Sequence, residues 1–165
     1  MSHRLAAAAA VFSLLAATPA AHAMSMSGTF DIHYDQQRPQ PLAPDRVRIE
    51  ESGAGINKSP GQPLDRAQVT VNEIVELTRG SGPGQGTITF TTPEGSATAL
   101  YVGRVRTDAQ GRITSRGTFR TNAGTGIFSG LRGRGSFTAA FTSQSDMTAQ
   151  WRGTFTPPAT LTSRR

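Results

Sequence analysis

The chain has 165 residues, no cysteine, and 17 Lys or Arg against 11 Asp or Glu, for a formal charge of +6. That excludes disulfides, thiolate nucleophiles and cysteine-ligated metals, and the length suits one domain with its own hydrophobic core. The charge is uneven: residues 24–100 carry six basic and nine acidic groups, whereas residues 101–165 carry ten arginines against Asp108 and Asp146.

In chain order, Arg4 and His3 form a short basic start, and Leu5 to Ala17 is apolar except for Ser13. Thr18-Pro19 breaks that run, and Ala21-His22-Ala23 supplies the small residues that a signal peptidase reads. The apolar run of 13 residues is too short to cross a bilayer of roughly 30 Å. Residues 1–23 are therefore expected to be a signal peptide cleaved near Ala23, releasing a secreted or periplasmic protein. The mature chain is expected to be a domain over residues 24–156 and a flexible tail over 157–165.

Residues 36–46 and 52–66 are rich in Pro, Gly and polar side chains, which predicts long loops around one short strand. Elsewhere the apolar period is two. Phe30, Ile32 and Tyr34 alternate with Asp31, His33 and Asp35; Val47 and Ile49 alternate with Arg46, Arg48 and Glu50. Val69, Val71, Val75 and Leu77 share one parity, followed by Ile88 and Phe90. Ala99, Tyr101, Gly103 and Val105 share a face, as do Ile113, Gly117 and Phe119. Phe137, Ala139 and Phe141 match Met147, Ala149, Trp151 and Phe155. Gly-Thr-Phe at 117–119, Gly-Ser-Phe at 135–137 and Gly-Thr-Phe at 153–155 recur at a step of 18 residues, the rhythm of an antiparallel meander. These features predict an all-β fold of eight antiparallel strands. An up-and-down barrel removes the sheet edges, with a two-sheet β-sandwich as the alternative.

Few residues offer chemistry. His33 is the only histidine of residues 24–165, and no nucleophile elbow accompanies it. Nothing predicts a metal or a cofactor: the glycines at 80–84 enclose Pro83, and those at 124–135 lead into a strand, where a phosphate loop needs a helix. Glu73 shares the parity of Val71 and Val75, so regular pairing places a carboxylate among apolar side chains. Such a group needs a partner or a raised pKa, and Arg104 or Arg106 is the expected partner; a bulge at Asn72-Glu73 would instead turn it outward. Arg112, Arg116 and Arg120 share a parity, and pairing Val105 with Ile113 would set Arg106 opposite Arg112. These four arginines are a candidate anion-binding stripe, or else a solvated outer face.

The run from Gly124 to Phe137 (GTGIFSGLRGRGSF) resembles a signature near the end of small β-barrels of the allene oxide cyclase and dirigent type, in particular their bacterial branch. The resemblance covers residues 67–156. It implies an eight-stranded antiparallel barrel around an apolar cavity, in a family whose members cyclise unsaturated epoxides, steer phenol coupling or act as polyketide cyclases. That cyclase chemistry uses a buried carboxylate, which makes Glu73 the catalytic candidate by analogy of environment.

Three functional expectations follow. The barrel holds a small apolar molecule among Val69, Val71, Tyr101, Phe119, Phe137 and Trp151. Alternatively it is an isomerase or cyclase using the same cavity with Glu73. A third reading is a surface protein binding an anionic polysaccharide or lipid through the arginines. Nucleic acid is not an expected partner of an exported chain, and a homo-oligomer is left open.

Overall fold

Alternating apolar residues give this chain a half-buried sheet, and the sheet closes on itself. The computed structural model describes residues 23–158 and Leu161; residues 1–22, which hold nearly all of the expected signal peptide, lie outside the described residues. Eight antiparallel strands follow one another around the barrel: β1 (Met24–Ala43), β2 (Arg46–Lys58), β3 (Gln68–Thr78), β4 (Gly82–Thr92), β5 (Gly95–Thr107), β6 (Ile113–Gly124), β7 (Arg132–Phe141) and β8 (Asp146–Thr156). Each strand pairs with its neighbour in sequence, and β1 pairs with β8 from Met24–Phe155 to His33–Asp146. The closed order excludes the sandwich.

Two segments read as loops are strands. Residues 36–43 continue β1 and residues 52–58 belong to β2. Beyond His33, β1 leaves β8 and pairs only with β2, so the two strands run on as a hairpin arm. Proline is tolerated there because the outer edge of β1 has no strand partner among the described residues. Pro39 and Pro41 are two residues apart, so both remove donors from the same edge of the strand.

The interior is fitted by pairing aromatic rings with glycines. Gly117 lies opposite Phe137, and Phe119 opposite Gly135. A Cβ on Gly135 would stand 2.4 Å from Phe119 Cζ, and one on Gly117 would stand 2.7 Å from Phe137 Cε1. The recurring glycines thus make room for the rings of the neighbouring strand, because an eight-stranded barrel has little interior to spare.

One end is plugged. A 3-10 turn, η1 (Gly126–Phe128), and the residues after it drive Phe128 and Leu131 into the core, at 0% and 1% exposure. Gly126 has φ +57°, and a Cβ there would meet the Glu94 carbonyl oxygen at 2.0 Å; this is why the Gly-rich run needs glycine at that position. From the loop 59–67, Leu64 and Ala67 complete the plug. Behind them Trp151 Nε1 donates to Asn57 Oδ1 at 2.9 Å. Leu161 packs on the core at the edge of the described chain.

Candidate functional site at the open end of the barrel

Regular pairing carries Glu73 inward. It sits between Val71 and Val75 on β3 with no bulge at Asn72, opposite Glu51 on β2 and Gly86 on β4. Gly86 in turn faces Tyr101 on β5. A Cβ on Gly86 would stand 2.7 Å from the Tyr101 hydroxyl and 2.8 Å from Glu73 Cβ. The missing side chain on β4 is therefore what lets Tyr101 reach across to Glu73.

Two phenols hold the carboxylate. Tyr34 donates a short hydrogen bond to Oε1, and Tyr101 donates to Oε2 at 3.0 Å. Each ring is braced by another: Tyr34 stacks on Phe141 with centroids 5.8 Å apart, and Tyr101 meets Phe137 edge-on at 5.5 Å. The expected arginine partners are elsewhere, since Arg104 and Arg106 have the opposite parity and stand exposed outside. Tyrosine suits the interior better, because it supplies a donor without a second ion to desolvate.

Glu51 is the second inward carboxyl, 9% exposed. Gln37 Nε2 donates to its Oε1 at 3.1 Å and to the Gln144 carbonyl at 3.0 Å, tying the β1 arm to the β7–β8 turn over the barrel mouth. Burial, reinforced by the neighbouring Glu73, pushes the Glu51 carboxyl up to about 7. Burial also raises Glu73, against the opposing pull of the Tyr34 and Tyr101 hydrogen bonds. Both tyrosines are raised, first by burial and then by the charge on Glu73, so their protons stay in place. The site is a pair of carboxyls and two phenols, with no cation among their hydrogen-bond partners in the described residues.

Glu73 and both tyrosines border a mainly apolar interior cavity of about 80 Å³. Val71, Phe119, Phe137 and Trp151 also line it. Val69 is fully buried in the wall and does not reach it. The sequence reading missed Glu51, although it continues the inward parity of Val47 and Ile49. It also missed Tyr34 as a partner, since nothing local links positions 34 and 73.

The arginines fall differently from expectation. Asp108 Oδ1 accepts from the backbone N–H groups of Gln110 and Arg112 at 2.9 Å each, and Arg112 Nε donates to Asp108 Oδ2 at 2.7 Å. That side-chain-capped turn occupies residues 108–112, so Thr107 pairs with Ile113 and Val105 with Ser115. Arg112 is therefore a turn residue held by its own ion pair. Arg106 faces Thr114, Arg116 faces Arg104, and Arg120 faces Arg134, all on the outer surface.

His33 also points outward. Its Nδ1 lies 2.8 Å from Asp146 Oδ1, and Ser143 Oγ donates to Asp146 Oδ2 at 2.6 Å. The acid stands between serine and histidine, so the histidine has no contact through which to activate the hydroxyl.

No protein-family model matches the sequence, and no curated protein matches it. Two solved structures of pterocarpan synthase dirigent proteins are similar to the chain. PsPTS1 shares 13% identity with a TM-score of 0.46, covering 82% of this chain and 96% of its own. GePTS1 shares 13% identity with a TM-score of 0.48, covering 91% and 98%.

Proposed function

We propose that this protein is an exported barrel that binds a small molecule at its open end, with an apolar portion inside and a polar group at Glu73, Tyr34 and Tyr101. The observation that carries this reading is the junction itself: a hydrogen-bonded carboxylate at the wall of an otherwise apolar, aromatic-lined cavity. Binding pockets commonly combine apolar walls with a few convergent polar groups. The cavity of about 80 Å³ limits the enclosed portion, because drug-sized sites run to roughly 300 Å³ or more. The occupant is thus very small, or leaves part of itself in the mouth beneath Gln37. Export is supported by the signal pattern, and β1 begins at Met24, directly after the expected cleavage point.

Trp151 is the only tryptophan and lines the cavity, so its emission reports occupancy. Titrating residues 24–165 with straight-chain alkanols of increasing length should give a saturable emission shift with a length optimum. No saturable shift at any length would overturn the proposal.

A second reading, an isomerase or cyclase, is favoured by one feature. Glu73 is a proton acceptor beside Glu51, a carboxyl whose pKa of about 7 suits proton exchange near neutrality. Glu73→Gln discriminates the two: alkanol binding should stay within twofold, while any turnover found with an unsaturated substrate should vanish. Turnover that survives the substitution removes the catalytic reading.

A further inference from the structure

The outer face of β6, β7 and β8 carries a second feature, independent of the interior. A groove of about 1000 Å³ runs over these strands and the start of β1. Four of its lining residues are arginines: Arg120 on β6, Arg132 and Arg134 on β7, and Arg152 on β8. All four are exposed, and none forms an ion pair among the described residues. Arg120 lies directly opposite Arg134 in the ladder, and Arg152 is opposite Ser136. Strands β5, β6 and β7 contain no acidic residue. The only one on β8 is Asp146 at its first position, which is engaged by His33 and Ser143.

Cross-strand pairs of like charge are mildly destabilising. This barrel sets Arg120 against Arg134 and Arg104 against Arg116 without an intervening acid, a repulsion that an anionic occupant would relieve. The remaining polar lining comes from Ser25, Ser27, Thr121, Ser136, Thr154 and Thr156, hydroxyls that suit the hydroxyls of a sugar.

We propose that this groove binds a linear anionic polysaccharide, with Arg120, Arg132, Arg134 and Arg152 holding its carboxylate or sulfate groups. Adjacent strands are about 4.8 Å apart; Arg120 faces Arg134 across one such step, and Arg152, opposite Ser136, stands two residues along the next strand. That spacing fits charges carried on successive sugars, and the guanidinium fork matches both carboxylate and sulfate. The exposed large hydrophobic residues, Leu42, Ile56 and Val102, lie outside the groove, so it offers no apolar wedge for lipid. It has no exposed aromatic ring on which a nucleic-acid base could stack.

The test is titration of residues 24–165 with size-defined alginate and heparin oligosaccharides, with neutral dextran as control. Binding should weaken at least tenfold between about 50 and 300 mM salt, as expected for exposed charges screened over roughly 8 Å. Arg134→Gln combined with Arg152→Gln should weaken binding at least tenfold with a melting temperature no lower than that of the wild type, since it also relieves the repulsion from Arg120. Arg66→Gln, on the loop between β2 and β3, should change it less than twofold. Equal losses in both variants, undiminished binding in high salt, or no binding to either oligosaccharide would overturn the proposal. Tighter binding to anionic phospholipid vesicles or to single-stranded DNA would overturn it in favour of those partners.

Discussion

Asn57 shows how much a single amide can hold in this barrel. It is fully buried, accepts from Trp151, and donates through Nδ2 to Ser59 Oγ at 2.9 Å and to the Leu64 carbonyl at 2.8 Å. One side chain therefore joins β2, β8 and the plug loop. Asn57→Ala leaves the indole N–H buried without its partner, at about 1–3 kcal/mol, removes the donor to Ser59 Oγ, and leaves the Leu64 carbonyl with the Ala67 N–H alone at 3.2 Å. We expect a loss of about 3 kcal/mol, measured as a lower urea midpoint at unchanged slope; a loss under 1 kcal/mol would mean that water replaces the amide. At the other end, Gly86→Ala places a methyl 2.4 Å from the Asn72 carbonyl oxygen and 2.7 Å from the Tyr101 hydroxyl. The backbone contact forces a shift of β4 and the second contact displaces Tyr101 from Glu73. The expected result is a fold weakened by about 1–3 kcal/mol and an altered near-ultraviolet tyrosine signal. An unchanged signal would show that Tyr101 keeps its place.

Among the elements, the 3-10 turn bears on stability most directly. Phe128 is fully buried and seals the closed end together with Leu131. Phe128→Ala should destabilise the barrel by about 3–5 kcal/mol and enlarge the cavity from below, seen as stronger binding of longer alkanols if the barrel still folds at low temperature. Destabilisation without any change in alkanol preference would show that the plug and the cavity are separate. The strands were legible in the sequence because period-two alternation survives wherever one face is buried, as at Phe30-Ile32-Tyr34 and Val69-Val71. The β1–β2 arm was not, since Pro39 and Pro41 read as loop until the absence of a partner on that edge is known. The site was half legible: parity alone turned Glu73 inward. Its partner Tyr101 depended on register carried across β3, β4 and β5 and on the missing side chain of Gly86, and Tyr34 on register carried from β1 through β2. The expected pairing of Val105 with Ile113 failed at one turn, where the capped turn at Asp108 moves the β5–β6 register by two residues.

For the whole molecule, closure without disulfides makes stability depend on packing, and its pH dependence depends on carboxyls of two opposite kinds. Asp31 is lowered chiefly by its hydrogen bond with Lys58, Asp108 by the Arg112 backbone N–H, and Asp146 by Ser143 and then His33. Groups lowered in this way stabilise the fold above their unfolded pKa near 3.8, and that contribution is lost as the pH falls. Glu51 and Glu73 act in the opposite sense. Their folded pKa values lie above the unfolded value of 4.5, with Glu51 at about 7. The neutral carboxyl suits the interior, so the Glu51 contribution is complete below pH 4.5 and is lost as the pH rises through about 7, while that of Glu73 is lost in the same direction. The two trends cross on the acidic side of neutrality, where the protein should be most stable. A carboxyl shifted this far, discounted for solvent at the mouth, corresponds to about 2 kcal/mol. The wild-type urea midpoint should therefore be higher at pH 5 than at pH 8. Glu51→Gln, which keeps the Gln37 contact and cannot ionise, should raise the pH 8 midpoint and remove much of the difference. Equal pH dependence in the two proteins would mean that Glu51 ionises at the mouth as freely as it does in water. The carboxyl pair would then owe its pH sensitivity to Glu73 alone.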